Sequence, residues 1–151
     1  MSIQIRNFRE EDSVSVIEIH DLCKNRFQFR ELTPEFLSEL SHMPEFRFVV
    51  AVLDGRVVGF AGVMFYETLK LSEFGPVAVH PNYRNKGVGS EFIKYLLEFL
   101  ISKKITGITV RVRSDNPGAI KFFENFGFKI EARFRISQKN THEIIWLVKF
   151  L

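Results

Sequence analysis

The stretch from Phe74 to Phe92 constrains this chain more than any other. An apolar run, Val77-Ala78-Val79, leads into the polar, glycine-bearing turn Pro81-Asn82-Tyr83-Arg84-Asn85-Lys86-Gly87-Val88-Gly89-Ser90. After it, Val88, Phe92, Ile93, Leu96, Leu97 and Leu100 recur at helical spacing. A strand, a tight turn and a long helix are therefore expected in sequence. Glycines allow close approach of a ligand to the backbone, and the first-turn N–H groups of a helix have no partners inside it. Together with the positive end of the helix dipole they form a cradle for an anion. A turn that does no more than start a helix is the alternative reading. A dinucleotide fingerprint fits poorly, because position 92 is Phe where a third glycine belongs, and no glycine-lysine-Ser/Thr sequence marks a Walker-type loop.

The rest of the chain sorts around this unit. Residues 3–8 alternate and predict a first strand. Asp12 or Ser13 then caps a helix carrying Val14, Val16, Ile17, Ile19 and Leu22. Thr33-Pro34 starts a second helix that ends near Ser41. Strands follow over 46–53 and 56–66, joined by an Asp54-Gly55 hairpin turn, and over 71–79. Pro76 donates no ladder bond, so a bulge or unpaired position is expected inside that last strand. The long helix spans 87–101, and a strand follows over 105–112. Asn116-Pro117 opens a short helix to Asn125, with Gly127 just past its end. Phe128, Ile130, Ala132, Phe134 and Ile136 alternate as a strand, and 143–151 forms the last. The order β-α-α-β-β-β-α-β-α-β-β implies a central sheet with helices on both faces, in one domain over residues 1–151.

Composition narrows the function. A net charge of +3 suits an anionic small ligand and is too weak and scattered to argue for nucleic acid. A single cysteine, Cys23, excludes an internal disulfide and a multi-thiolate metal cluster, and points to a reducing cytoplasm. No apolar run approaches the roughly 20 residues of a membrane span, and the first residues lack a signal-peptide core. The 17 phenylalanines predict an aromatic core.

The glycine turn resembles the cofactor motif of the GNAT acetyltransferases, Arg/Gln-x-x-Gly-x-Gly/Ala, matched by Arg84-Asn85-Lys86-Gly87-Val88-Gly89. Asn116, Ala119, Phe123, Gly127 and Phe128 match the family's second motif, Asn-x-x-Ala-x-x-x-Tyr-x-x-x-Gly-Phe, except that Phe123 stands at the Tyr. The resemblance implies a GNAT fold of the α/β (α+β) class: a mixed, mostly antiparallel sheet of about seven strands flanked by about four helices. It implies acetyl-CoA as co-substrate, with no metal, and an acetyl group transferred to a primary amine by direct attack in a ternary complex. The backbone of Val77, Ala78 and Val79 would hold the pantetheine arm where that strand splays from its neighbour. Amides from Asn85, Lys86, Gly87, Val88, Gly89 and Ser90 would hold the pyrophosphate, with Arg84 and Lys86 adding charge and Asn116 facing the arm. Oligomeric state stays open, a homodimer through the final strands being one form.

Amine transfer needs a neutral nucleophile. Neutralising a lysine side chain at pH 7 costs roughly 4.6 kcal/mol, against about 1 kcal/mol for an α-amine. Glu73 is the candidate general base, acting through water, with a solvated strand-end carboxylate as its other reading. His80 and His142 are secondary candidates. Phe123 occupies the position of the family's general acid and carries no proton, so water or another donor must serve the leaving thiolate. Tyr83 and Tyr95 carry hydroxyls that nothing in the sequence places there. A GNAT-fold module that binds CoA with little catalysis is the alternative function. Ribosomal-protein N-terminal acetyltransferases carry a Glu where this chain has Arg111, which argues against that branch. Arg111 and Arg113 share a strand face and suit an acidic substrate group, the cofactor or bulk water. Phe27, Phe29 and Phe36 in the first helical region, with His142 and Trp146 near the end, are the candidate acceptor-pocket residues.

Overall fold

Strand pairing arranges the sheet so that its two halves do different work. The computed structural model describes residues 2–23, 31–135, 138 and 142–151. The strands are β1 (Gln4–Asn7), β2 (Phe46–Leu53), β3 (Arg56–Tyr66), β4 (Leu71–Val79), β5 (Gly107–Arg113), β6 (Lys129–Arg135) and β7 (Glu143–Phe150). The helices are α1 (Ser13–Cys23), α2 (Pro34–His42), α3 (Val88–Ser102) and α4 (Pro117–Asn125). All seven strands form one sheet in the order β1-β2-β3-β4-β5-β7-β6, antiparallel except for the central β4–β5 pair.

The predicted element order holds, and the bounds of β2, β3, β4 and α4 are those the sequence implies. Asp54 and Gly55 both take positive φ, 52° and 73°, as a two-residue hairpin turn requires. Where bounds differ, local hydrogen bonding explains it. Gly87 is the N-cap of α3 rather than its first residue, with φ 86°. At the other end, Ile105 N–H reaches Leu100 O at 3.0 Å and Lys104 N–H reaches Ile101 O at 2.9 Å. That double bond pattern is a Schellman stop with Lys104 left-handed at φ 60°, and it keeps Ile105 out of β5.

Strand β2 is an almost continuous apolar run because both of its faces are covered. Val49 and Ala51 join Phe92, Ile93, Leu96, Ile108 and Ile145 in the core under α3 and α4. Phe48 and Val50 join Val16, Ile19, Leu37 and Phe60 in a second core under α1 and α2. The alternating residues form β6, but a bulge keeps them from sharing one face. A register shift between Ile130 and Ala132 puts Ile130 opposite Leu147, while Ala132 and Phe134 lie opposite Trp146 and Ile144. The apolar residues of β6 therefore divide between two faces, and Phe134 is half exposed. Ile136 lies outside the described residues.

The entry into α1 is tied to β1 by charge. The buried Asp12 carboxylate accepts from both terminal nitrogens of Arg6, at 2.8 and 2.9 Å, and from Arg9 N–H at 2.8 Å. Burial works to raise the Asp12 pKa, but these three donors outweigh it and hold the carboxyl below its ordinary value. A depressed folded pKa means the stabilisation is full above the unfolded value near 3.9 and is lost as pH falls through the folded value. Asp12→Asn is expected to lower unfolding free energy in urea at pH 7 by about 1.5–3 kcal/mol, with the gap to the parent narrowing below about pH 4. A pH-independent difference would show that the charge of Asp12 contributes nothing.

Candidate functional site

The site begins where β4 loses a neighbour. Leu71–Phe74 pair in parallel with Gly107–Val110 of β5, and the pairing stops there. Beyond it, Arg111, Val112 and Arg113 pair only with Trp146, Ile145 and Ile144 of β7. Val77, Ala78 and Val79 stay paired to β3 alone, opposite Ala61, Phe60 and Gly59. The β3–β4 register shifts between Ala61 and Val63, leaving Gly75 and Pro76 outside the ladder, which is the irregularity Pro76 predicts. The sheet therefore opens between β4 and β5 past this pair, with the Val77–Val79 backbone on one side.

The turn that follows returns the chain to the same end of the sheet. His80 N–H bonds Val58 O at 2.8 Å, and a short 3-10 turn runs over Pro81–Tyr83. Arg84 folds inward: its Nε donates to Val79 O at 3.4 Å and its Nη2 to Cys23 Sγ at 3.2 Å. Its guanidinium thus clips the turn to β4 and α1. Asn85 and Gly87 adopt φ 62° and 86°. Glu91 N–H is bonded to Gly87 O at 3.0 Å, so the amides of Val88, Gly89 and Ser90 precede the intrahelical ladder. A Cβ built on Gly87 would meet nothing within 4 Å, so the space before the helix is open. Lys86 Nζ rests 5.8 Å from the Tyr83 ring.

Helix α4 closes one side of this end. A Cβ on Gly89 would lie 3.3 Å from Cζ of Phe122, so α3 and α4 touch at the cradle. Asn116 caps α4, its Oδ1 accepting from Ala119 N–H at 3.3 Å. At the far end Gly127, with φ 88°, and Phe128 bond back to Glu124 and Phe123 at 2.9 and 3.2 Å. This is a second Schellman stop, and its hydrophobic contact is the Phe123–Phe128 pair, 5.3 Å between centroids. Phe123 is buried and also meets Phe74 edge-to-face at 5.7 Å, directly behind the last β4–β5 pair.

Glu73 lies on the other face of β4 from Phe74, opposite Thr109 of β5. Its carboxylate accepts from both Nε and Nη2 of Arg111. Arg113 forks onto Asp115 at 3.1 and 2.9 Å, and that guanidinium, with His142 adding to it, holds the Asp115 carboxyl below its ordinary value. His142 Nε2 lies 3.7 Å from Asp115. Both arginines therefore have carboxylate partners within the chain, and Asp115 is a member of the cluster that motif reading overlooked. His80 accepts from Asn82 N–H at 3.1 Å, a local turn bond. The Tyr83 and Tyr95 hydroxyls meet Arg56 and Arg47 at 3.4 and 3.5 Å. Trp146 is partly exposed against Phe134, and Phe36 is exposed on α2, while Phe27 and Phe29 lie outside the described residues.

The structure thus gathers Val77–Val79, Asn85–Ser90, Asn116 and Phe123 at one end of the sheet, with Glu73 at the root of the opening. Comparison with known proteins agrees with this architecture. The model of the Acetyltransferase (GNAT) family matches residues 13–128. An acetyltransferase of Sodalis glossinidius (strain morsitans) is 27% identical over 137 residues, covering 85% of this chain and 89% of its own. An N-acetyltransferase from Staphylococcus aureus Mu50 superposes with a TM-score of 0.85 at 16% identity, covering 99% of both chains. An acetyltransferase from Salmonella typhimurium, solved with its cofactor acetyl-CoA, gives 0.84 at 16% identity over 99% of this chain and 94% of its own. These two structures share the fold. The match of the family model over most of the chain, on a sheet split beside a glycine-opened helix, establishes that the protein belongs to the GNAT acetyltransferase family.

Proposed function

We propose that this chain, acting as one domain, transfers an acetyl group from acetyl-CoA to a primary amine on a small molecule or a protein, by direct attack in a ternary complex. The observation that carries this reading is the end of β4–β5 pairing at Phe74 and Val110, beside the open N-terminus of α3. A strand edge with no strand beside it at Val77 and Ala78 suits the amide-bearing pantetheine arm, while Val79 O is taken by Arg84 and Cys23. The amides of Val88, Gly89 and Ser90, at the positive end of a 15-residue helix, suit a pyrophosphate. The Salmonella typhimurium relative of the same fold, solved with acetyl-CoA, supports that choice of ligand. When bound, acetyl-CoA supplies a thioester whose acetyl carbon bonds to the acceptor nitrogen as the carbon–sulfur bond breaks and the sulfur takes up a proton.

The chain's own groups divide the remaining tasks. Val77–Val79 orient the arm, Asn85–Ser90 bind the phosphates, and Arg84 holds that turn in shape through Val79 and Cys23. Glu73 takes the amine proton, through water, while Arg111 holds its carboxylate in place at the root of the opening. Phe123 contributes packing and leaves the sulfur to be protonated by water. No metal takes part. Among the described residues no helix is long and apolar enough to cross a membrane, and a cytoplasmic setting with the free Cys23 thiol fits acetyl-CoA use. A second reading, a CoA-binding module with little catalysis, is favoured by one observation: Phe123 is enclosed by Phe74, Phe122 and Phe128, with no hydroxyl at that position. Acetyl-CoA turnover across an amine panel separates the two, since tight CoA binding without turnover would establish the module.

Gly89→Glu is expected to abolish acetyl-CoA binding by calorimetry while far-UV circular dichroism stays native, because a carboxylate enters the anion cradle and presses on Phe122. Parental affinity in that variant would remove the cradle. Glu73→Gln is expected to lower kcat/KM most on the acid side of the pH profile, where the free amine is scarcest. A profile of unchanged shape would take Glu73 out of the base role. Phe123→Tyr is expected to bury a hydroxyl among rings, costing about 1–3 kcal/mol in urea unfolding without raising turnover. A tenfold gain in kcat would instead put that hydroxyl at the leaving sulfur.

A further inference from the structure

The Glu73–Arg111 ion pair stands at the apex of the sheet opening. Glu73 is one residue before the last β4–β5 pair and Arg111 one residue after it, on the face turned away from Phe74 and Val110. Stability does not explain the pair. Its side chains are 36% and 54% exposed, and exposed pairs contribute about 0–1 kcal/mol. A guanidinium carries five N–H donors, and Glu73 meets one from Nε and one from Nη2, so the Nη1–Nη2 edge of this half-exposed side chain is left for another partner. On the other side of Arg111, the register places Trp146 directly opposite on β7. Trp146 packs edge-to-face on Phe134 at 5.5 Å, and Ile144 lies opposite Phe134 on the same face. A half-exposed guanidinium is therefore bracketed by a carboxylate and an aromatic wall, all beside the opening.

Each neighbour selects a different part of one molecule. An open guanidinium fork matches a carboxylate in planar, two-point geometry, and a lysine could not present the same fork. The Trp146–Phe134 surface matches an apolar side chain. Glu73 matches a cationic amine and is positioned to take its proton. We infer that the acceptor is an amino-acid-type amine, bearing a carboxylate and an apolar side chain next to the amino group. Arg111 binds the acceptor carboxylate while holding Glu73, so that the amine lies between Glu73 and the root of the opening. Arg113 gives the same Nε–Nη2 edge to Asp115, but it lies three residues past the last β4–β5 pair and opposite Ile144 rather than Trp146, away from Glu73 and the aromatic wall. This inference rests on the acetyltransferase reading for the meaning of the acceptor, while the binding it describes can be measured without acetyl-CoA.

Trp146 is the only tryptophan in the chain, so its fluorescence reports on this face alone. The test titrates the full chain with L-phenylalanine, L-phenylalaninamide and 2-phenylethylamine, which share the ring and amine and differ at the carboxylate. L-phenylalanine is expected to change Trp146 emission saturably, with the other two binding at least tenfold more weakly. Arg111→Gln should remove that preference and Arg111→Lys should restore part of it. In turnover assays the carboxylate preference should appear in KM more than in kcat. Equal affinity for the acid and the amide, no saturable response to L-phenylalanine, or a preference unchanged in Arg111→Gln would each overturn the inference. Turnover of other amines alongside any of those results would leave the acetyltransferase reading standing, whereas carboxylate-dependent binding without turnover of any amine would overturn that reading alone.

Discussion

Everything at the functional end of this protein follows from one interrupted hydrogen-bond ladder. β4 has β5 as a parallel neighbour through Phe74 and none afterwards. Gly75 and Pro76 fall outside the β3 ladder at the same point, so β4 changes course while staying attached to β3. The central strand of a sheet normally has its backbone groups satisfied on both sides. Here three residues, Val77 to Val79, have a strand on one side only. The two cores cover both faces of β2 and β3 beside that interruption.

The same end carries two devices that appear catalytic in a motif and are first of all structural. Asn116 and Gly127 are the two caps of a nine-residue helix, and Phe123 is the inner half of the contact that makes the second cap work. A tyrosine at position 123 would keep the same ring packing and add a hydroxyl that Phe123 does not carry. Arg84 behaves likewise: its guanidinium bonds Val79 and Cys23 and ties the turn to β4 and α1.

Much of the fold was legible because its punctuation is local. Thr33-Pro34 and Asn116-Pro117 cap and start helices within four residues of chain, and Asp54-Gly55 turns a hairpin within two. Periodicity separated β2 and β3 from α3 for the same reason. Reading failed where an effect needed a second strand. The bulge at β6 divides Ile130 from Ala132 and Phe134, and an alternating sequence cannot reveal it because each residue still follows the pattern. Glu73 and Arg111 were both visible as charged strand residues, yet 38 positions separate them, and only the parallel register makes them partners.

The amino-acid order by itself determined the elements, the glycine turn that opens α3 at Gly87 and the family, since helix caps, turn glycines and left-handed φ angles are short-range consequences of residue type. The tertiary structure decided which charges meet, which face of the sheet each aromatic residue joins, and that Phe123 is enclosed rather than open to a ligand. Those outcomes depend on strand register and on where pairing stops, and register is set jointly by both faces of a packed sheet. No single segment contains that information.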